Sequence, residues 1–396
     1  MAEMTIATIS DAFKNFYLDE VRDMIDYESC PLYKEIEKNG MEVDGDTIKM
    51  AVKYGSSGGI GAGTEVGTLP TPNARKIKQV SYSVKNQFAR LQISIKAMKA
   101  SESKKAAFVK LMEMYMEDLT KDAKKYYGRQ LHTGNSGKIA TCTAEGPVTT
   151  LTLTSTGSTK DTVKFFEEGM LIDICASDGT VKVTGREVTS VDRAAGKITI
   201  SGAGVTNLAT DIIVVSGAYG CELTGFADVF QTTGSLYGLD RSTYKFYAPI
   251  ITNVAGEIDE IILQNAIDDA EDTGSEINYL IGSKGVVRGY QNYMIASKRN
   301  TNITRLKGGY EVLDYNGMPL VKDKYTQYGC LFGLNKADWK LHEMTQWEWM
   351  GSDDNADGIL SRVANKPVYE ATLYKFGDLG CRKPGGQFKL YGITEY

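Results

Sequence analysis

Between Thr47 and Tyr54 every second residue is apolar, with Ile48, Met50, Val52 and Tyr54 on one side. That period of two marks a half-buried strand. Six of the thirteen residues from Gly55 to Gly67 are glycine. A second strand-like run extends from Lys76 to Ile95. Val80, Tyr82 and Val84 keep one phase in it, and Leu91, Ile93 and Ile95 keep the other. The change of phase predicts a bulge or twist near Phe88–Arg90. Together these runs read as an extended hairpin over 46–97 with a glycine-rich tip. A run of about twenty residues at ~3.3 Å each spans roughly 65 Å, too long to fold back into a compact domain.

The period changes to that of a helix on both sides of the hairpin. Phe13, Phe16, Tyr17, Val21, Met24 and Ile25 share one helical face, and Pro31 closes that segment. With little apolar content of its own, 1–45 reads as an arm that lies on something else. Phe108, Leu111, Met112, Tyr115, Leu119, Ala123 and Tyr126 follow the 3.6-residue period and predict a long helix over 101–132, ended by Gly134 and Gly137. From 140 to 222 Thr, Val, Gly and Ser dominate. Short strands are expected at Thr149–Thr154, Met170–Cys175, Thr180–Val191, Lys197–Ser201 and Asp211–Ser216, separated by turn signals. That block reads as a small β-barrel or sandwich inserted into the chain.

Beyond it, 223–250 reconnects the chain. A helix is expected over Ala255–Asp272, with Ile258, Ile261, Ile262 and Ala266 inward, then a strand at Asn278–Gly282 and a helix at Lys284–Ser297. Strands follow at Leu331–Leu334, Trp339–Trp349, Glu370–Phe376 and Gln387–Gly392. The fold class is α+β, with neither βαβ alternation nor an internal repeat.

Composition narrows the function. The chain has 396 residues, 45 basic against 50 acidic, a net charge of −5 and only two histidines, His132 and His342. Scarce histidine disfavours metal and acid–base sites. The six cysteines are scattered with no C-x-x-C, so buried reduced thiols are expected. Neither a signal-peptide pattern nor an apolar run of membrane-spanning length stands out, and the expectation is a cytosol-like compartment without membrane contact.

Candidate chemistry fails on context. Gly55-Ser56-Ser57-Gly58-Gly59 has the spacing of a nucleophile elbow, but more glycines follow where a helix is needed. Gly61-Ala62-Gly63 lacks the third glycine of a dinucleotide loop and a phosphate-binding lysine. Asp353, Asn355, Asp357 and Gly358 match the start of a calcium loop, yet Ala364 stands where a glutamate should. Trp339, Trp347 and Trp349 beside His342 could form a stacking platform, and core packing is the better expectation. Not an enzyme, with no catalytic, cofactor-binding or metal residues, is the expectation.

The order of arm, extended loop, long helix and later strands resembles the major capsid proteins of tailed bacteriophages, a fold shared with encapsulins. Glu276–Gly282 with the helix after it, Tyr315–Val321, and Lys366-Pro367 through Tyr391-Gly392 resemble motifs of that family. The resemblance implies an N-terminal arm (1–45), an extended loop (46–97), a peripheral domain with a spine helix (98–139) and an inserted β-rich domain (140–222). It also implies a peripheral connection (223–250), an axial domain (251–370) and closing strands of the peripheral domain (371–396). It implies self-assembly as pentamers and hexamers into an icosahedral virion shell around double-stranded DNA, assembled in a host cytoplasm. A separate scaffolding protein and a portal are implied partners. Phe13, Phe16, Tyr17, Tyr54, Gly58, Gly59, Gly61, Gly63, Val80, Tyr82 and Val84 are the expected intersubunit contacts. An encapsulin shell, a β-rich surface or adhesin protein, and a hydrolase using Ser57 are the alternatives.

Overall fold

A computed structural model describes residues 31–39, 43–55, 58–96, 115, 119, 122–123, 125–154, 159–296, 303–305, 311–350 and 361–396. The expected arm helix with Phe13, Phe16 and Tyr17, the acidic turn 353–358, Ser56 and Ser57, and most of 97–121 lie outside these residues.

A five-stranded sheet is organised around Val368–Cys381. Trp339–Trp349 pairs antiparallel with one edge of that strand, and Lys85–Ser94 pairs antiparallel with the other. Glu37–Asn39 adds in parallel outside Trp339–Trp349. All three tryptophans sit in this sheet and are 1–4 % exposed, so they are core and not a stacking platform. His342 is fully buried beside Tyr82. The described end of the long helix, 125–132, packs on the same face. Tyr127 and Leu131 point inward, and Tyr126 is only half-buried.

The second sheet has seven strands. In spatial order they are Ile250–Gly256, Phe388–Ile393, Leu331–Leu334, Tyr279–Gly282, Met318–Lys322, Glu311–Tyr315 and Ile303–Arg305. Helices Glu260–Asp272 and Lys284–Ala296 cover it through Leu263, Ala266, Ile267, Ala270, Val286 and Tyr290. The first helix starts later than its hydrophobic pattern suggests. Residues 250–256 are held in the sheet, and the Asp259 side chain caps the helix by accepting from Ile262 N–H at 2.7 Å. The helix buries the face of Leu263, Ala266, Ile267 and Ala270, which leaves Ile261 outward at 68 % exposure, contrary to its expected inward position.

The pairings also cut across the expected boundary at 370/371. Trp339–Trp349, expected in the axial domain, lies in the five-stranded sheet. Phe388–Ile393, expected among the peripheral closing strands, lies in the seven-stranded one. Sequence order could not show this, because the chain passes between the sheets twice within its last 60 or so residues, over connections of the usual short length.

The block 140–222 is a barrel. Its six-stranded sheet runs Ala140–Thr141, Ile212–Val215, Leu171–Cys175, Val181–Asp192, Lys197–Ile200 and Thr150–Thr152. The end strands meet at a Cys142–Leu153 bridge, flanked by Thr143 N–H to Thr152 O and Thr154 N–H to Thr141 O. The sheet therefore closes on itself and leaves no edge. Cys142, Leu151, Phe166, Ile172, Ile174, Val188, Ile198 and Ile213 fill it, each fully buried. The barrel is tied to the rest by Lys164 Nζ to Thr326 O at 2.9 Å and by Phe165 stacked on Tyr325.

Candidate intersubunit surface

Thr47–Tyr54 and Lys76–Ser83 pair as a hairpin, in register from Thr47–Ser83 to Tyr54–Lys76, whereas Lys85–Ser94, expected in the same extended hairpin over 46–97, lies in the five-stranded sheet. Even-numbered residues face its own chain: Ile48, Met50, Val52 and Val80 are buried. Tyr82 lies against Tyr237 with ring centroids 4.3 Å apart, and Tyr54 stacks on Phe246 at 4.5 Å. The Lys78 ammonium sits 5.2 Å over the Tyr244 ring, and Ser81 N–H donates to Tyr237 O. These contacts fix the hairpin's base on 235–247. Val80 is enclosed in its own core, and Tyr54, Tyr82 and Val84 pack within their own chain.

The strand changes phase at Val84, not at Phe88–Arg90. Val84 N–H donates to Asp46 O, while Lys85 already pairs with Gly377. In Lys85–Ser94 the odd residues therefore point inward. The apolar pattern misplaces the switch because Gln87 is buried and bonded to Gln130 at 2.8 Å, whereas Phe88 is 58 % exposed.

Beyond Tyr54 and Lys76 the ladder stops. The limbs continue side by side, with the Cα of Gly59 close enough to Pro72 that an added Cβ would stand 3.3 Å from it. Pro70 and Pro72 lack the N–H groups that a continued ladder needs. At the far end Gly67 N–H donates to Thr64 O in a turn. Gly58, Gly59, Gly61 and Gly63 are exposed. So are Ile60 (84 %), Val66 (96 %) and Leu69 (90 %). These three apolar side chains follow no helix or strand period, although they are the only large aliphatic residues between Gly58 and Arg75. Three such groups on one solvent-facing tip have nothing packed against them among the described residues.

Several polar groups are enclosed elsewhere among the described residues. Lys375 Nζ lies 2.7 Å from Glu343 Oε1 and 2.9 Å from the Tyr33 hydroxyl, within 5.0–5.9 Å of the Tyr33, Tyr127 and Trp347 ring centres. Arg129 pairs with Glu222, which also accepts from the Tyr126 hydroxyl at 3.1 Å. Asp378 accepts from Thr224 N–H, the Thr224 hydroxyl and Leu379 N–H at 2.7, 2.9 and 2.8 Å.

Complete burial outweighs those three bonds and pushes the Asp378 carboxyl up to about 7. Between its ordinary value near 3.8 and about 7 the folded chain then holds a proton that the unfolded chain has released. This group's contribution to stability therefore falls as pH rises through that window. Asp378→Asn keeps the shape and cannot ionise. The melting temperature of the variant minus that of the native chain is expected to become more positive from pH 5 to pH 8. A flat or falling difference contradicts the assignment.

The described cysteines are free. Cys221 is exposed, the other four are buried, and burial raises the Cys142 thiol to about 12. Among the described residues no group of three His, Cys, Asp or Glu side chains is placed to hold a metal ion, and no helix is long and apolar enough to cross a membrane. A cleft of about 1740 Å³ opens between the barrel, the end of the long helix and the start of strand Lys85–Ser94. Its walls mix charges of both signs, with Lys125, Lys164 and Arg193 facing Asp122, Asp161 and Glu168.

In the cyanophage A-1(L) capsid asymmetric unit, one chain superposes on this one with a TM-score of 0.58 over 93% of this chain and 94% of that one, at 12% identity. This chain shares the fold of a cyanophage capsid chain. The holo-SrpI encapsulin complex from Synechococcus elongatus PCC 7942 aligns over 93% of this chain and 90% of that one at TM-score 0.47 and 6% identity. Mycobacterium phage Bobi aligns over 98% and 99% at TM-score 0.45 and 8% identity. Scores at that level add no weight. No family model matches the chain, and no curated protein matches it in sequence.

Proposed function

We propose that this chain is the major capsid protein of a tailed bacteriophage, a structural protein and not an enzyme. Copies join through their hairpin tips into pentamers and hexamers, and these close into an icosahedral shell around double-stranded DNA. The observation that carries the reading is the hairpin tip. It stands clear of the other described residues and exposes Ile60, Val66 and Leu69, on a fold shared with a phage capsid chain. Rings with heterologous contacts need such a donor on every copy. The glycines at the tip let one sequence bend differently at non-equivalent positions of a shell. The small net charge of −5 suits a container that holds DNA without gripping its phosphates. A scaffolding protein and a portal are the expected further partners, with assembly in the host cytoplasm.

The test is to isolate particles from cells producing the chain together with its neighbouring gene products, and to ask what they protect. Nuclease-resistant double-stranded DNA supports the phage reading. Particles that enclose protein cargo and no DNA replace it with a cellular compartment.

A further inference from the structure

The chain clasps one of its own loops with residues 394–396. Ile393 is buried at the end of strand Phe388–Ile393. Beyond it Thr394 and Tyr396 are exposed and Glu395 is half-buried. These three residues bury no apolar side chain, so polar bonds and one ring contact hold them. Thr394 N–H donates to Gly256 O at 2.8 Å, and the Tyr396 hydroxyl donates to Glu257. The Glu395 carboxylate accepts from the Ser283 hydroxyl and, at 2.6 Å, from Gly329 N–H. Arg288 donates to the Tyr396 backbone oxygen.

The seat fits this segment. Helix Lys284–Ala296 carries glycine at 285 and 289, about one turn apart and both buried. A Cβ on Gly285 would stand 2.2 Å from Glu395 Oε2 and 2.5 Å from Glu395 Cβ. One on Gly289 would stand 3.3 Å from the Tyr396 ring. Glycine weakens a helix relative to alanine. Here the two glycines open a groove that residues 395 and 396 fill. The Glu395 carboxylate also meets the positive end of the helix.

The clasped loop is a joint. Gly329 is held from both sides, its N–H by Glu395 and its carbonyl by Ile393 N–H at 3.0 Å. It closes loop 323–329, on which three parts of the molecule meet. Asp323 lies 3.2 Å from His132 of the long helix. Thr326 O accepts from Lys164 of the barrel, and Tyr325 stacks on Phe165. Lys389 of the seven-stranded sheet reaches Gln327 at 3.2 Å. Beside the segment, Ala255 stands at φ +50 where strand Ile250–Gly256 bulges. That backbone state is strained for a residue with a Cβ and persists only where its surroundings hold it.

We propose that residues 394–396 are a strap that locks this joint. Seated in the glycine groove, the strap fixes loop 323–329. Unseated, it frees the barrel and the long helix to shift against the seven-stranded sheet. A segment with few buried apolar contacts opens at a cost far below that of global unfolding. Opening removes the acceptor of Gly329 N–H and the bond that pins the bulge beside Ala255. It also removes the part of the cleft wall that Glu395 and Tyr396 supply. The inference stands apart from the shell reading, because every contact in it lies within one copy.

Amide hydrogen exchange of the purified chain tests it, with two variants that unseat the strap by different means. Glu395→Ala removes the acceptor. Gly285→Ala adds the Cβ that collides with Glu395, while giving the helix a better helix former. In both, peptides covering 323–327 are expected to exchange about tenfold or more faster than in the native chain. The barrel strands Leu171–Cys175 and Ile212–Val215 are expected to keep native rates. Faster exchange at Gly329 alone reduces the segment to a local contact and overturns the inference. Faster exchange throughout the chain makes 394–396 part of the global fold and overturns it too. So do native rates at 323–327 in either folded variant. Glu395→Ala takes away one half-buried side chain and decides the question by itself where Gly285→Ala does not fold. The movement has its own readout. In a Cys221→Ser background, which removes the exposed native thiol, spin labels are placed at Thr189→Cys on the barrel and Glu271→Cys on helix Glu260–Asp272. Their distance distribution is expected to broaden once the strap is unseated, and an unchanged distribution contradicts the proposal.

Discussion

Replacing the tip between Tyr54 and Lys76 with a two-residue Asn-Gly turn is expected to leave the subunit folded and to abolish assembly. The strands Thr47–Tyr54 and Lys76–Ser83 are already in antiparallel register and end opposite one another. A type I′ turn can close such a pair. The contacts that seat the hairpin on its own chain, through Tyr54, Val80, Tyr82 and Ser81, all lie below the cut. What is lost is Ile60, Val66 and Leu69, each exposed by more than four-fifths. Burial of one large aliphatic side chain contributes about 1.5–3 kcal/mol, and each 1.4 kcal/mol is about tenfold in affinity. Each subunit of a shell makes several contacts at once, so the loss is compounded across the particle. The check has two parts. The unfolding midpoint is expected to match the native chain, and particle yield to fall below detection. Normal particles from the shortened chain rule out the tip as an assembly element. Leu69→Asp is the milder version, expected to weaken assembly in the same direction.

The second large effect lies in the core. Lys375→Met is expected to destabilise the five-stranded sheet by about 3–5 kcal/mol, because it strands the Glu343 carboxylate in a buried site. Lys375 and Glu343 are 3 % and 8 % exposed, and the Tyr33 hydroxyl accepts from Lys375 and donates to Glu343. Tyr33 belongs to the short helix Pro31–Glu35, so the same cluster pins the start of the described chain to the sheet. Adding Glu343→Gln removes the stranded charge. The double variant is expected to recover most of the loss, giving a coupling of about 2 kcal/mol or more between the two sites. All three tryptophans lie on strand Trp339–Trp349 of this sheet. Their fluorescence therefore follows the unfolding of this sheet and of the core it shares with Phe332 and Leu334 of the seven-stranded sheet, while the barrel has a core of its own. Additive losses in the double variant contradict the pairing.

Local structure was legible wherever one face of an element is buried and the other is wet. Leu331–Leu334 and Trp339–Trp349 have the bounds that their patterns imply. The barrel strands Leu171–Cys175, Lys197–Ile200 and Ile212–Val215 fall within a residue or so of expectation, because tight turns at Gly179 and Gly196 mark their ends. The pattern misleads where polarity and burial part company. Gln87 is buried because Gln130 satisfies its amide, and Phe88 is exposed beside it, so the phase switch at Val84 was displaced by several residues. The apolar run that includes Ile258 predicts an earlier start for the helix Glu260–Asp272, and the cap at Asp259 is a contact only the folded chain displays. Which strand pairs with which was not legible. Nothing local to Val368–Cys381 says that Lys85–Ser94, nearly three hundred residues earlier, lies beside it. The apolar residues of the tip were visible as letters but carried no periodicity. Their meaning comes from the folded hairpin, which holds them in solvent.

Negative-stain electron microscopy of the purified chain, produced with any scaffolding partner encoded beside it, bears most directly on the shell reading. The expected result is closed particles of uniform size built from rings of five and six. A monodisperse monomer under those conditions contradicts it.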